Sequence, residues 1–239
     1  MRSRIKEKNI MKKYLWLFSI FLIFSFVNIS YATCTYDQGV YFCGAKTVPT
    51  YKELCSWTVY VEGISMKGAW LGTGIIVKTN SRETYILTNA HVAGRGKKGV
   101  FLTVENMNEK KDATVICISK DKDIDLALLR IEGRIPFKKA IKGFAEITPS
   151  ERVYSVGHYL GNKYTYSEGT CAGYQEGYLI MNMPSCSGQS GSGIFNKDGK
   201  LVGLLFAGNR VGFMGMDTSR ALCVNIENIK KFLRENGVR

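Results

Sequence analysis

The chain has 239 residues, 45% of them hydrophobic and 22% charged, with four prolines against 25 glycines. That is enough chain for one all-β domain with a full core, and it excludes a low-complexity, repetitive or disordered protein. The formal charge of +13 is scattered, with pairs such as Lys97-Lys98, Lys110-Lys111 and Lys138-Lys139 near presumed turns; this reads as solvated surface and not as a nucleic-acid-binding stripe.

In chain order, Arg2, Arg4, Lys6, Lys8, Lys12 and Lys13 form a basic start. An apolar run from about Tyr14 to Val27 follows, then Ser30-Tyr31-Ala32, which fits the small-x-small rule of signal peptidase. Residues 1–32 are expected to be a signal peptide; the rival reading is an uncleaved membrane anchor, for which the apolar run is short. The mature chain, with a net charge of +8 after loss of six basic residues and one acidic residue, is then extracytoplasmic, periplasmic or secreted, with no stable membrane insertion. All seven cysteines (34, 43, 55, 117, 171, 186 and 223) lie beyond that point, which in an exported protein argues for disulfides. There is no C-x-x-C pair and there are only two histidines, so no metal site is expected. Residues 33–54 read as a cysteine-containing extension.

From residue 57 onward the pattern is short apolar or alternating runs: 57–61, 73–77, 85–88, 100–104, 113–118, 126–131, 152–156, 169–174, 178–181, 193–195, 201–206 and 221–224. Many short strands at close spacing predict a sandwich or barrel. Asn196-Lys197-Asp198-Gly199-Lys200 reads as a hairpin, Asp-Gly being a pair that tolerates positive φ at both positions. Ile226, Ile229, Phe232 and Leu233 then fall on one helical face, with Asn225 as cap and Gly237 as stop. The stretch 134–149 has little alternation and suits a connection between two halves.

Three sets of residues carry chemistry. Ser190 lies in Gly188-Gln189-Ser190-Gly191-Ser192-Gly193, where glycines allow close backbone approach and the N–H groups of Gly188 and Ser190 can converge on one oxygen. Alone, this run is no more than a Ser/Gly turn. A base must be His91, after the strand Tyr85-Ile86-Leu87-Thr88, or His158, in a glycine-flanked loop. An orienting carboxylate can come from Asp121, Asp123 or Asp125; Asp125 is best placed because it opens the run Leu126–Ile131, whereas Asp121 and Asp123 read as turn acids.

Four segments in order resemble the trypsin/chymotrypsin-like clan, and within it the bacterial HtrA (Deg) and glutamyl-endopeptidase types. They are Gly72–Val77 with Tyr85–Val92, Asp125–Leu129, Gly188–Gly193, and Gly199–Leu204. The resemblance implies an all-β fold of two antiparallel six-stranded barrels closed by a C-terminal helix: residues 55–239, with barrel one at about 55–133, barrel two at about 150–225 and the helix at about 226–236. It implies a serine endopeptidase with His91, Asp125 and Ser190 as triad, Gly188 and Ser190 as oxyanion hole, a covalent acyl-enzyme and no cofactor. Partners are protein or peptide substrates. Pro184, Ser185, Phe206, Ala207, Gly208 and Ser219 are expected to contact substrate, with no acid at the pocket base to favour Lys or Arg. Cys186 occupies a position often disulfide-bonded in the family, with Cys223 or Cys171 as possible partner. Gln189 stands where animal digestive members carry an aspartate that pairs with a new N-terminal amine, so that activation step is not expected; nor is the PDZ domain of many HtrA proteins. The competing reading is an inactive binding or adhesion protein on the same fold.

Overall fold

The computed structural model describes residues 34–37, 40–43, 48–96, 101–106, 109–208 and 220–238. Residues 1–32, expected to be a signal peptide, lie outside them. Residues 1–47 form a unit of their own, in which β1 (Cys34–Asp37) and β2 (Val40–Cys43) make an antiparallel hairpin with Cys34 and Cys43 as Cα partners.

Residues 48–239 form the second unit. It opens on a short helix, α1 (Tyr51–Trp57), which runs from the expected extension, 33–54, to the first residue of the expected strand 57–61. Its cause is a reciprocal cap: Thr50 Oγ1 accepts from the Glu53 N–H at 3.2 Å and the Thr50 N–H donates to Glu53 Oε2 at 3.0 Å. The helix buries Leu54 and Trp57.

Six strands follow: β3 (Thr58–Ser65), β4 (Gly68–Thr79), β5 (Glu83–Thr88), β6 (Phe101–Asn106), β7 (Glu109–Ile118) and β8 (Ala127–Glu132). They close a barrel in the order β3-β4-β5-β8-β7-β6. A second set, β9 (Arg152–Tyr159), β10 (Asn162–Gln175), β11 (Tyr178–Asn182), β12 (Gly193–Phe195), β13 (Leu201–Gly208) and β14 (Ala221–Asn225), closes another in the order β10-β11-β14-β13-β12-β9. The fold is two closed antiparallel six-stranded barrels, as the resemblance implied. The C-terminal helix α2 (Ile226–Glu235) starts at Asn225, whose side chain accepts from the Asn228 N–H at 2.9 Å. No helix among the described residues is long and apolar enough to cross a membrane.

Each barrel has its own interior, and a third cluster joins them. Val59, Val61, Ile76, Ile86, Leu102 and Leu129 fill the first; Val153, Cys171, Leu179, Met181, Ile194 and Val202 fill the second. Between them, Ile75, Leu87, Leu126 and Leu128 of the first barrel meet Val156, Phe195 and Leu204 of the second, together with Trp57 of α1 and Ile229 and Phe232 of α2. Phe195 is fully buried against Trp57, ring centroids 4.9 Å apart. Burying such a side chain stabilises by roughly 1.5–3 kcal/mol.

Two expectations change. The 196–200 turn needs positive φ only at Gly199 (φ 72°), because Asn196 Oδ1 accepts from the Asp198 and Lys200 N–H groups and shapes the loop itself. Lys138 is not solvated surface: it is 6% exposed. Its ammonium donates to the carbonyls of Cys55 and Thr58, each at 2.6 Å, and to Tyr164 Oη at 3.0 Å. Burial pulls its pKa down from 10.5 to about 8. A neutral amine suits the same three groups, giving two hydrogens to the carbonyls and accepting from the tyrosine hydroxyl.

Candidate active site

His91 leaves the end of β5 on a tight turn held by Ala93 N–H to Asn89 C=O at 3.0 Å and Arg95 N–H to Ala90 C=O at 2.7 Å. Asp125 lies just before β8, the strand hydrogen-bonded to β5. The fully buried Asn89 ties the two segments, its Nδ2 donating to the Asp125 carbonyl at 2.8 Å. The Asp125 carboxylate meets His91 twice. Oδ1 accepts from the His91 backbone N–H at 3.0 Å, and Oδ2 is hydrogen-bonded to His91 Nδ1. Burial alone raises the Asp125 pKa, but the hydrogen bonds and charge of His91, with Arg95 beyond, outweigh it and hold the carboxyl below its ordinary value. Asp121 and Asp123 are exposed, and Asp121 Oδ1 merely caps the Asp123 N–H in a turn.

Ser190 comes from the other barrel, on the loop between β11 and β12. Its carbonyl accepts from the Thr73 N–H of β4 at 2.8 Å, and Gly191 N–H donates to Leu205 C=O of β13 at 2.8 Å. Gly191 has φ 88°, and a Cβ there would stand 1.9 Å from the Thr73 carbonyl oxygen and 2.5 Å from Thr88 Oγ1. The loop is thus pressed onto the end of β5, three residues before His91. The Ser190 hydroxyl donates to the carbonyl of Phe206 at 3.4 Å. Phe206 is the bulged residue between Leu205 and Ala207 in the β13–β14 pairing, which frees its carbonyl from the ladder.

The N–H groups of Gly188 and Ser190 have no acceptor among the described residues. Their directions follow from the other end of each planar trans peptide. Ser187 C=O accepts from Leu160 N–H at 2.8 Å, so the Gly188 N–H points away from Leu160; Gln189 C=O accepts from Ser192 N–H at 2.9 Å, which orients the Ser190 N–H likewise. Gln189 is 2% exposed and closes the loop from inside: Oε1 accepts from the Cys186 N–H at 2.8 Å and Nε2 donates to Ser167 Oγ at 3.2 Å. An amide fills both roles at once, donor and acceptor, with no buried charge.

His158, the other candidate base, is fully buried with its ring edge-on to Tyr60 and Tyr164. Burial, then the charges of Lys138 and Lys163, push its pKa down to about 3. It faces Thr73 and no carboxylate. Around the loop, Ser185 is buried with its hydroxyl donating to the Arg220 carbonyl at 3.4 Å, Pro184 is exposed, and Phe206 and Ala207 are half-buried on β13 beside Gly208. Ser219 lies outside the described residues. Cys171 and Cys223 are buried free thiols inside the second barrel, whereas Cys186 is a free, partly exposed thiol on the loop. In this structure Cys186 is bonded to neither suggested partner, both of which are buried in the core of the second barrel. Thr73 and Asn89 were missed by sequence reasoning; the only signals were Thr73 between two glycines in Gly72-Thr73-Gly74 and Asn89 two residues before His91.

Residues 72–204, more than half of the chain, match the trypsin-like peptidase domain. The chain belongs to that family, a class of serine-type endopeptidases. It is 27% identical over 145 residues to the magnetosome formation protease MamE of Paramagnetospirillum magneticum, covering 56% of this chain and 19% of the relative. It is 30% identical over 148 residues to the serine protease Do-like HtrB of Bacillus subtilis, covering 55% and 31%. With a probable periplasmic serine endoprotease, DegP-like, of Hahella chejuensis it shares 28% over 177 residues, covering 70% and 36%. The chain thus spans from 19% to 36% of the length of these relatives. Among solved structures, the HtrA-type protease AlgW with a tripeptide shares the fold with a TM-score of 0.64 at 16% identity, over 78% of this chain and 63% of that one. An inactive form of Rv3671c from M. tuberculosis H37Rv does so with a TM-score of 0.56 at 18% identity, over 77% and 88%.

Proposed function

We propose that the protein is an exported serine endopeptidase that hydrolyses peptide bonds in protein or peptide substrates. The observation that carries this reading is the double hold of Asp125 on His91, beside a loop that offers Ser190 and two unengaged N–H donors. In the proposed reaction Ser190 Oγ attacks the scissile carbonyl and His91 Nε2 takes its proton. Asp125 keeps the proton on Nδ1 and stabilises the imidazolium. The oxyanion receives the N–H groups of Gly188 and Ser190. His91 then protonates the leaving amine, and water hydrolyses the acyl-enzyme.

Substrate lies in extended form along 204–208, where the unpaired Phe206 carbonyl is a ready acceptor for a substrate N–H once the serine hydroxyl turns away. Pro184, Ser185, Ala207, Gly208 and Ser219 border the side-chain pocket. The mature chain begins after residue 32, residues 33–54 extend it, and 55–239 form the protease domain. Export also favours disulfides, and the Cα pairing of Cys34 with Cys43 makes that pair the first to examine, by counting free thiols in non-reduced protein.

A fluorophosphonate probe tests the reading. It is expected to label the folded chain and to lose all labelling in Ser190→Ala; a folded wild-type chain that takes no label supports the inactive binding protein instead.

A further inference from the structure

The nucleophile loop is gripped by one residue of the opposite barrel, and a buried histidine stands behind that residue. Thr73 is fully buried in β4. Its N–H donates to the Ser190 carbonyl at 2.8 Å, and its hydroxyl donates to the Gly188 carbonyl at 2.8 Å. Both peptides beside the proposed oxyanion hole are thus held by the same side chain and backbone. Thr73 is itself fixed from below, its carbonyl accepting from Thr88 Oγ1 at 2.6 Å.

A threonine hydroxyl has one proton and two lone pairs. With the proton given to Gly188, the oxygen can only accept from other donors. His158 supplies them: its backbone N–H reaches Thr73 Oγ1 at 3.2 Å and its ring Nδ1 at 3.0 Å. The ring proton therefore sits on Nδ1, and Nε2 is left buried with no partner among the described residues. Tyr60 and Tyr164 clamp the ring at centroid distances of 4.9 and 5.1 Å. The strand end that carries His158 also fits Gly188 tightly. A Cβ on Gly188 would stand 2.1 Å from the His158 carbonyl oxygen, and Leu160 N–H holds the carbonyl just before it.

We propose that His158 and Thr73 are positioning residues of the oxyanion hole: the His158 Nδ1–H turns the Thr73 hydroxyl proton onto the Gly188 carbonyl, and Thr73 so fixes the peptides that follow Gly188 and Ser190, each joined through one α-carbon to a peptide whose N–H receives the oxyanion. His158 is too deeply buried to reach substrate, and burial holds its ring neutral around pH 7. The proposal rests on the assignment of Gly188 and Ser190 as oxyanion donors.

The test compares Thr73→Val, Thr73→Ser and His158→Phe in the full chain, with kcat and KM on one peptide, the rate of fluorophosphonate labelling, and melting by circular dichroism. Removing a whole oxyanion donor costs about 100- to 1000-fold in kcat; a donor that is present but loosened costs less. Thr73→Val is expected to lower kcat about thirtyfold with KM within about twofold, and Thr73→Ser to restore it. His158→Phe keeps the ring between the tyrosines and is expected to lower kcat about fivefold or more, with labelling slowed in parallel. Loss confined to KM, or unchanged kcat in folded Thr73→Val, overturns the proposal. If Thr73→Val does not fold, unchanged kcat in His158→Phe overturns it equally. Failure of the underlying reading has a different mark: Ser190→Ala that still cleaves, or a wild type that takes no label, removes the hole and this proposal with it.

Discussion

Replacing Asp125 by asparagine isolates what the carboxylate does. The His91 backbone N–H, 3.0 Å from Oδ1, pins the orientation of the new amide, because only its oxygen can accept there. The NH2 then faces His91 Nδ1, accepts nothing and donates. Nδ1 must become the acceptor, so the imidazole proton moves to Nε2, where it blocks uptake of the Ser190 proton. Restoring the reactive tautomer sets Nδ1–H against an amide N–H, leaving two partly buried donors unmatched at about 1–3 kcal/mol each. Flipping the amide instead strands the backbone N–H at similar cost. Loss of the negative charge that stabilises the imidazolium adds to this. A total of about 5 kcal/mol corresponds to a fall in kcat of about 10⁴-fold. The assay is steady-state peptide hydrolysis at neutral pH, with KM expected within about threefold of wild type, since the carboxylate touches no substrate. An Asp125→Asn variant that keeps more than about one hundredth of wild-type kcat refutes the tautomer argument.

Three further outcomes are expected. Lys138 releases its proton at about pH 8 in the folded chain against 10.5 ordinarily, so between these values the unfolded state binds more protons and stability rises with pH, by up to about 3 kcal/mol. Urea midpoints at pH 7.5 and 9.5 are expected to show this rise in wild type and not in Lys138→Met; equal slopes count against it. Gly191→Ala, with φ 88° and a Cβ 1.9 Å from the Thr73 oxygen, is expected to displace the loop, abolish labelling and lower the melting temperature by several degrees. Gln189→Leu leaves the Cys186 N–H and Ser167 Oγ without their partner, at about 1–3 kcal/mol each, and is expected to lower both stability and kcat; a fully active, equally stable variant shows that the amide is dispensable.

What was legible in the sequence followed a period. Alternation located every strand of both barrels, and the spacing of Ile226, Ile229, Phe232 and Leu233 located α2. α1 was hidden because its apolar residues run straight into the strand Thr58–Ser65, so its only mark was the cap pair Thr50 and Glu53. The first half of β10, from Asn162 to Glu168, is mostly polar and exposed, which leaves little apolar alternation to read. In the site, His91, Asp125 and Ser190 stood out as chemical types in an order. His158 stood out only as a rival base, and Thr73 and Lys138 not at all, because the roles of all three are hydrogen bonds across 85, 115 and 83 residues of chain, and no local pattern records a partner that far away. Lys138 beside Lys139 looks like any solvated pair until the fold puts two carbonyls and a tyrosine around it.

The Gly-Ser run illustrates how composition misleads when partners are non-local. Glycine-rich segments lose more conformational freedom on ordering than others, so the turn from 187 to 191 stays fixed only if each of its residues is held by a hydrogen bond. Each is: Ser187 by Leu160, Gly188 by Thr73, Gln189 by Ser192, Ser190 by Thr73 and Gly191 by Leu205. Four of these five holds are made through carbonyls, and the N–H groups of Gly188 and Ser190 are the donors left over. That division follows from peptide planarity, since anchoring a carbonyl turns the attached N–H to the opposite side. The glycines at 188 and 191 serve closeness and not mobility, for a Cβ at either would collide with a backbone oxygen of His158 or Thr73. The segment that looks most flexible in the sequence is therefore the one whose rigidity the proposed chemistry most requires.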